Sequence, residues 1–332
     1  MKAMIFAAGM GTRLKPITDT MPKALVPVCG KPLLSHVIEK LHSAGFSDFV
    51  INLHHFADQI RDYVQSDEFM TSLAATGKQN CEGGSDSFGK DANGIKIHFS
   101  DETDLLRETG GGIRHAAALL NDGEPFLVHN VDILSNLDVE SFYRAHYEDY
   151  MNTGRYSVVG DGGPKENESH GNSDRILATL LVSDRKTERY LLFDSEDMLV
   201  GWMNIKTGEV KSPFEELRRE PIAELKKDGV ENVVREGLAD VTGENWGRDG
   251  FDYEAFLQEY HLNKYAFAGI HVMSPEVFAL MWDKPDKFSI ITFYLSYCHK
   301  YRIKGHVAEN LKLVDVGKLD SLQKAEEMVA QL

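Results

Sequence analysis

The chain has 332 residues, enough for one large domain or two modest ones, and its 42% hydrophobic content is typical of a globular protein. A formal net charge of −16 excludes a general attraction for nucleic acids or anionic membranes, so a phosphate ligand would need a local positive site. No apolar run approaches the ~20 residues of a membrane helix, and three widely spaced cysteines predict a reducing cytoplasm without a disulfide framework or zinc cluster.

The first 34 residues combine a predicted buried strand with a cationic loop. The apolar run Ala3–Ala8 ends at Gly9, and Gly9 and Gly11 allow a sharp turn in which backbone N–H groups approach an anion. The basic residues of this stretch are Lys2, Arg13, Lys15, Lys23 and Lys31. They are opposed only by Asp19 before Glu39. This stretch therefore predicts a binding site for a small polyanion.

Residues 1–145 alternate predicted strands with predicted helices. After the opening strand, further strands are predicted at 49–53, 95–99 and 125–130. Helices are predicted at 33–41, 56–64 and 113–120, the last opened by three glycines. Such alternation is typical of βαβ units in a mainly parallel sheet, where ligands bind beyond the carboxyl ends of the strands. The loop after Gly9, the segment 101–112 and Asp132 all follow strands in this way.

The second half predicts more strands and two helices. Two or three strands fit 175–204, and single strands fit 265–272 and 311–317. Helices are predicted at 288–301 and 321–329. Polar segments near 76–94, 160–174 and 226–250 are interpreted as surface insertions.

The opening stretch resembles the signature of the sugar-1-phosphate nucleotidyltransferases. Residues 7–33 read A-A-G-M-G-T-R-L-K-P-I-T-D-T-M-P-K-A-L-V-P-V-C-G-K-P-L, and they match neither the dinucleotide fingerprint nor the Walker loop. Members of this family join a nucleoside triphosphate to a sugar 1-phosphate and release pyrophosphate. The resemblance implies a Rossmann-like three-layer α/β/α fold with a mixed, mainly parallel central sheet.

A single domain over residues 1–332 is implied, with a nucleotide-binding half at 1–145 and a sugar-binding half at 146–332. The hexapeptide repeats that build a left-handed β-helix in bifunctional members of the family are absent from the sequence. We therefore expect no such helix at the C-terminus.

Two cations of the signature are predicted to be catalytic. The planar guanidinium of Arg13 suits the leaving β- and γ-phosphates, and the compact ammonium of Lys23 suits the α-phosphate and the incoming phosphate. The resemblance implies the same roles. The other predicted nucleotide-binding residues are Ala8, Gly9, Gly11, Thr12, Thr109, Gly110, Gly111 and Asn130. For Lys15 and Lys31, a phosphate role and a solvated surface position both stay open.

Two aspartates are predicted to bind Mg²⁺, which prefers a few protein carboxylates together with waters and substrate phosphate oxygens. Asp132 follows a strand in His-Asn-Val-Asp-Ile, and Asp315 lies in Leu-Val-Asp-Val-Gly. Both resemble the metal-binding aspartates of the family. Lys318 replaces the threonine that usually follows the second motif, a change that affects the turn more than the ligand.

The segment from Asp101 to Ile113 resembles the part of the family that contacts the nucleobase. Thr109 can cap the following helix, and Gly110 and Gly111 permit close approach of a flat base. The form E-T-G-G-G-I is similar to N-acetylmuramate-1-phosphate uridylyltransferases and to mannose- or heptose-1-phosphate guanylyltransferases. We interpret it as favouring UTP.

The sugar pocket has the weakest sequence signal. The Glu-Lys-Pro motif of many family members is missing. Asn204 and Gly269 lie in the corresponding region and are the predicted sugar-binding residues.

The favoured hypothesis is a cytoplasmic, Mg²⁺-dependent enzyme that makes a UDP-sugar from UTP and N-acetylmuramate 1-phosphate for cell-wall precursor recycling. It would work as a monomer or small homo-oligomer, without nucleic-acid or membrane partners. The main alternative is a GTP-dependent mannose- or heptose-1-phosphate guanylyltransferase, and a cytidylyltransferase acting on phosphocholine is more distant. A catalytically silent nucleotide-sugar sensor is the alternative outside enzymes, although Arg13, Lys23 and both aspartates are retained.

Overall fold

The computed structural model describes residues 1–74, 94–153, 174–220 and 251–331. The three predicted insertions lie outside these ranges, apart from Gly94 and Asp174 at their edges.

The described residues form a series of alternating strands and helices. The strands are β1 (Lys2–Phe6), β2 (Pro27–Val28), β3 (Lys31–Pro32), β4 (Asp48–Leu53), β5 (Lys96–Asp101), β6 (Phe126–Asn130), β7 (Ile133–Ser135), β8 (Ile176–Ser183), β9 (Arg189–Phe193), β10 (Leu199–Asn204), β11 (Glu209–Lys211), β12 (Asn263–Met273), β13 (Arg302–Val307) and β14 (Leu313–Asp315). The helices are α1 (Leu33–Ser43), α2 (Ala57–Val64), α3 (Asp67–Ala74), α4 (Glu108–His115), α5 (Ala117–Leu120), α6 (Val139–Asn152), α7 (Tyr253–Glu259), α8 (Val277–Met281), α9 (Ile290–Tyr297) and α10 (Leu319–Val329).

The central sheet is mixed, as predicted. Its main path has the order β11-β10-β9-β12-β6-β1-β4-β5, and β8 joins it beside β12 and carries β13 at its other edge. The strands β6, β1, β4 and β5 are parallel, whereas β12 runs antiparallel to β6, β8 and β9. Because β1 pairs in parallel with both β4 and β6, the carboxyl ends of these three strands lie side by side. The described residues contain no left-handed β-helix, which agrees with the prediction.

Helices cover both faces of the sheet, because successive side chains of a buried strand point to opposite sides. Ala3 and Ile5 of β1 are fully buried in the apolar cluster that includes α1. Met4, between them, is fully buried in a second cluster with Ile113 of α4 and Tyr294 of α9. This arrangement confirms the three-layer α/β/α fold.

Two helix predictions are wrong in their bounds. The three glycines were expected to open a helix at residue 113, but α4 begins at Glu108 and contains all three of them. Their missing side chains make room for neighbouring chain segments, so packing overrides the low helix propensity of glycine. The helix predicted over 288–301 is α9, which ends at Tyr297 before the chain enters β13.

Helix α6 was not predicted, although the sequence contains signals for it. Asp138 caps it by accepting a hydrogen bond from the backbone N–H of Ser141 at 3.0 Å. Its buried residues are Val139, Phe142, Tyr143, His146 and Tyr150, at the three- and four-residue spacing of one helix face.

Within the described ranges, no helix combines the length and the apolar character needed to cross a membrane.

Two buried histidines are expected to make the fold sensitive to acid. His146 contacts the hydroxyls of Thr179 at 2.9 Å and Ser274 at 3.2 Å, and His271 contacts the hydroxyl of Tyr294. Burial lowers the pKa of each imidazole to about 3. An unfolded histidine has a pKa of about 6.5, so below that pH the unfolded chain binds protons that the folded chain excludes. The contribution of these histidines to the free energy of unfolding is therefore fully present above about pH 6.5. It falls as the pH falls, by about 2 kcal/mol for each histidine at pH 5.

Urea unfolding between pH 7 and pH 4 checks this expectation. The His146→Gln variant should lose stability less steeply with falling pH than the parent chain, by about 1.4 kcal/mol per pH unit. His299, which is exposed, provides the matched control, and His299→Gln should keep the parental slope. Equal slopes for all three proteins would contradict the assignment.

Candidate active site

A cleft of about 460 Å³ lies beyond the carboxyl ends of β1, β4 and β6. Its walls come from the loop 6–13, from the segment 102–109 and from residues 130–132. Lys23 and Gly317 complete it from the 3₁₀ turn Lys23–Leu25 and from the end of β14. Parallel strands place these chain ends at one edge of the sheet, where ligands of open α/β folds bind.

The two glycines of the opening loop have different surroundings. Gly11 has φ +62°, and a Cβ there would lie 2.8 Å from a methyl carbon of Thr18 and 3.2 Å from Cβ of Lys23. Its carbonyl accepts hydrogen bonds from the Thr18 hydroxyl and from the backbone of Leu14, both at 2.8 Å. Around Gly9, no atom of the described residues lies within 4 Å of an added Cβ. Gly11 thus serves the folding of the loop, and the space at Gly9 is open to a ligand.

Lys23 and Asp132 form an ion pair inside the cleft, between Nζ and Oδ2. Their side chains are only 10% and 18% exposed. Charges this poorly solvated are stable only with a close partner, so the ion pair holds both in place.

Asp315 reaches the same place from the far end of the sequence. β14 pairs with β7 so that Asp315 lies opposite Ile133, and the N–H of Val316 donates to the Asp132 carbonyl at 2.8 Å. A Cβ on Gly317 would lie 2.7 Å from Oδ1 of Asp315 and 2.9 Å from a terminal nitrogen of Arg13. The structure therefore places Arg13, Lys23 and Asp132 in the cleft wall, and Asp315 lies beside Arg13 and Gly317, just behind the residues that line the cleft.

The two carboxylates suit a hard divalent cation. Oδ1 of Asp315 is buried and has no hydrogen-bond partner among the described residues, which fits an oxygen that accepts a metal ion. Within the described ranges, no group of three or more acidic, histidine or cysteine side chains converges for metal binding. A cation held here would therefore take its other ligands from water and phosphate oxygens, as Mg²⁺ prefers.

The residues predicted to contact the base are only partly in the cleft. Thr109 lines it, but its hydroxyl does not cap its own helix and instead accepts the N–H of Ile290, the first residue of α9, at 2.9 Å. Gly110 and Gly111 donate their N–H groups to the Phe288 carbonyl at 2.9 and 3.2 Å. A side chain would overlap the Phe288 ring at Gly110 and the Asp286 carbonyl at Gly111. The space beside these two glycines is therefore filled by the chain segment 286–288. Leu106, Glu108 and Thr109 form this wall of the cleft instead.

The two predicted sugar-binding residues have different positions. Gly269 lies at a bulge in β12 with φ +75°, and a Cβ there would lie 2.5 Å from Nδ2 of Asn130. It makes room for Asn130, which lines the cleft. Asn204 ends β10, separated from β12 by β9, and its side chain accepts the Lys206 N–H at 3.0 Å within its own turn. Asn204 is absent from the cleft wall formed by the described residues, since β10 lies two strands away from β12.

The cations left open by the sequence have partners outside the cleft. Lys15 pairs with Asp19 at 2.9 Å, and its side chain is 59% exposed. Lys31 pairs with Glu39 at 2.7 Å. Their positions therefore favour the interpretation as surface residues.

Among the cleft residues that sequence reasoning missed, Asn52 and Glu102 are the two with buried polar side chains. Asn52 is a polar residue inside the apolar run Phe49–Leu53, which is a usable signal, because a buried amide needs hydrogen-bond partners. Glu102 is one of several acidic residues in its segment, and the sequence contains no signal that separates it from the others.

Comparison with known proteins identifies related chains. The nucleotidyl transferase family matches residues 2–170. The N-acetylmuramate alpha-1-phosphate uridylyltransferase of Caulobacter vibrioides is 38% identical over 132 residues, which are 39% of this chain and 45% of that protein. The mannose-1-phosphate guanylyltransferase catalytic subunit beta of Dictyostelium discoideum is 33% identical over 149 residues, 44% of this chain and 35% of that protein. The match thus spans less than half the length of each relative.

The likeness in fold extends over the whole chain. A crystal structure of UDP-glucose pyrophosphorylase complexed with UDP-glucose aligns with 99% of this chain and 98% of its own, with a TM-score of 0.60. Sequence identity is 14%, so this likeness concerns the fold alone.

Proposed function

The chain belongs to the nucleotidyl transferase family, and from that premise we propose that it transfers a nucleotidyl group from a nucleoside triphosphate to a sugar 1-phosphate and releases pyrophosphate. The observation that carries the proposal is the meeting of Arg13, Lys23, Asp132 and Asp315 beside the open space at Gly9. Two cations and one carboxylate in the cleft wall, with a second carboxylate beside them, suit a reaction between two polyanions.

The cations and the carboxylates at the cleft have different roles in nucleotidyl transfer. A phosphate oxygen of the sugar attacks the α-phosphorus in line, so the protein has to align two anions that repel each other and stabilise the charge on the phosphoryl oxygens. Lys23 reaches the α-phosphate and the attacking phosphate, and the fork of Arg13 holds the leaving pyrophosphate. Asp132 and Asp315 would hold Mg²⁺, which neutralises phosphate oxygens when bound.

For the substrates, we favour UTP and N-acetylmuramate 1-phosphate, in the supply of a cell-wall precursor. The motif E-T-G-G-G-I and the Caulobacter relative support this choice. The Dictyostelium relative supports the second candidate, GTP with mannose 1-phosphate.

Thermal unfolding with each of five nucleotides tests the choice of base. UTP with Mg²⁺ should raise the unfolding temperature most, because a ligand at 100 times its dissociation constant stabilises the folded state by about 2.7 kcal/mol. ATP, CTP, GTP and dTTP serve as matched controls, and a pyrophosphate-release assay with several sugar 1-phosphates follows. A largest shift with GTP would favour the guanylyltransferase. Binding without pyrophosphate release from any pair would favour a sensor, and no binding at all would contradict the proposal.

A further inference from the structure

Two buried polar side chains connect opposite walls of the cleft. Asn52 is the second-last residue of β4 and lies opposite Phe6 of β1, and Glu102 follows β5. Asn52 is 2% exposed and Glu102 is 0% exposed, so bulk water solvates neither side chain. Buried amides and carboxylates are stable only when their hydrogen bonds are satisfied.

Their hydrogen bonds form one continuous chain. Oδ1 of Asn52 accepts the N–H groups of Ala7 at 2.7 Å and Ala8 at 3.2 Å, immediately before Gly9. Nδ2 of Asn52 donates to Oε1 of Glu102 at 2.8 Å, and Oε2 of Glu102 accepts the N–H of Arg107 at 3.1 Å. Because backbone N–H groups only donate, they fix the orientation of the Asn52 amide and of each bond that follows.

Gly112 makes room for this chain of bonds. A Cβ at that position would lie 2.9 Å from Oε1 of Glu102 and 3.5 Å from Nδ2 of Asn52. The third glycine of the sequence motif therefore permits α4 to lie directly over the two side chains.

We propose that Asn52 and Glu102 are positioning residues that set the distance between the phosphate loop and the base-binding wall. We call this pair the brace. At one end it holds the backbone of Ala7 and Ala8, which leads into the open loop at Gly9. At the other end it holds the N–H of Arg107, which precedes the cleft residues Glu108 and Thr109. The brace contacts the walls rather than the reacting atoms, so it acts on nucleotide binding. The proposal rests on the proposed function.

The direction of the hydrogen bonds suggests a sharp test. Asn52→Asp keeps the acceptor for Ala7 and Ala8 but places a second carboxylate against Glu102. Glu102→Gln leaves one donor too many between Asn52 and Arg107. The double variant Asn52→Asp/Glu102→Gln restores every bond with the central one reversed, and it keeps the net charge.

Kinetics should separate positioning from simple stabilisation. Each single variant is expected to raise KM for the nucleoside triphosphate roughly 10- to 100-fold, since a buried partner is lost. KM for the sugar 1-phosphate, measured at saturating nucleotide, should stay within about twofold of the parent value, and the double variant should regain most of the affinity. All assays are run well below each unfolding temperature. A lower unfolding temperature with an unchanged KM for the nucleotide would overturn the proposal, as would a double variant no better than the worse single one.

Hydrogen exchange supplies a readout that needs no substrate. Amides in peptides covering residues 4–10 and 102–108 should exchange faster in both single variants and return toward parental rates in the double variant. If the parent chain neither binds nor converts nucleotides, the proposed function fails, and exchange still decides whether the brace exists. Should the single variants not fold, Gly112→Ala repeats the test, because its methyl group displaces Glu102. Parental exchange and an unchanged KM in Gly112→Ala would then overturn the proposal.

Discussion

Replacing Lys23 by alanine is expected to lower kcat/KM for pyrophosphate release by about 10²- to 10³-fold. This is the usual cost of removing one preorganised hydrogen-bond donor that stabilises charge in a transition state. Lys23 is the cation held against Asp132 in the cleft, with a side chain only 10% exposed. An ammonium with so little water around it interacts strongly with phosphoryl oxygens. Steady-state kinetics with UTP and the best sugar 1-phosphate from the panel measure the effect.

A lysine in the same loop provides the matched control for Lys23. Lys15 has a 59% exposed side chain and pairs with Asp19 outside the cleft, so Lys15→Ala should stay within about twofold of the parent rate. Loss of Arg13 should resemble loss of Lys23, because its guanidinium lies against Gly317 beside Asp315. Near-normal turnover by both Lys23→Ala and Arg13→Ala would refute the catalytic assignment.

Asp315→Asn is expected to abolish most of the Mg²⁺-dependent turnover while the fold stays intact. Oδ1 of Asp315 is buried without a hydrogen-bond partner among the described residues, so an amide of the same shape removes charge and little else. The variant should need a much higher Mg²⁺ concentration for half-maximal rate, and its maximal rate should fall by about 10²-fold or more. Titration of EDTA-treated protein with Mg²⁺ measures both quantities.

Asp138→Asn is the matched control for the loss of a carboxylate. Asp138 lies on the exposed cap of α6, where hydrogen bonds from the backbone N–H and the hydroxyl of Ser141 lower its pKa. Its replacement should leave the Mg²⁺ dependence unchanged, and asparagine is itself a good cap. Asp132→Asn should also lose activity, but it removes the partner of Lys23, so Asp315 is the cleaner test. An unaltered Mg²⁺ titration for Asp315→Asn would contradict its role as a metal ligand.

The opening stretch illustrates how much the sequence determined by itself. The apolar run, the glycines and the cations follow one another within a few residues, so local spacing alone predicted a strand leading into an anion-binding loop. The alternation of strands and helices, and with it a mainly parallel sheet, followed from periodicity, because an amphipathic helix and a buried strand each have a pattern that needs no knowledge of distant residues. The three-layer form was implied by the family resemblance. The position of Asp132 at a strand end was equally local.

The tertiary structure decided what depends on residues far apart in the chain. The sequence contains no sign that Gly110 and Gly111 approach Phe288 and Asp286, or that Thr109 accepts a hydrogen bond from the first residue of α9. The same holds for Glu102, whose partners lie on β4 and before α4. A side chain is placed in a site by the pairing and packing of whole elements, and the register of β14 against β7 that brings Asp315 to Asp132 is fixed only when the whole core is assembled.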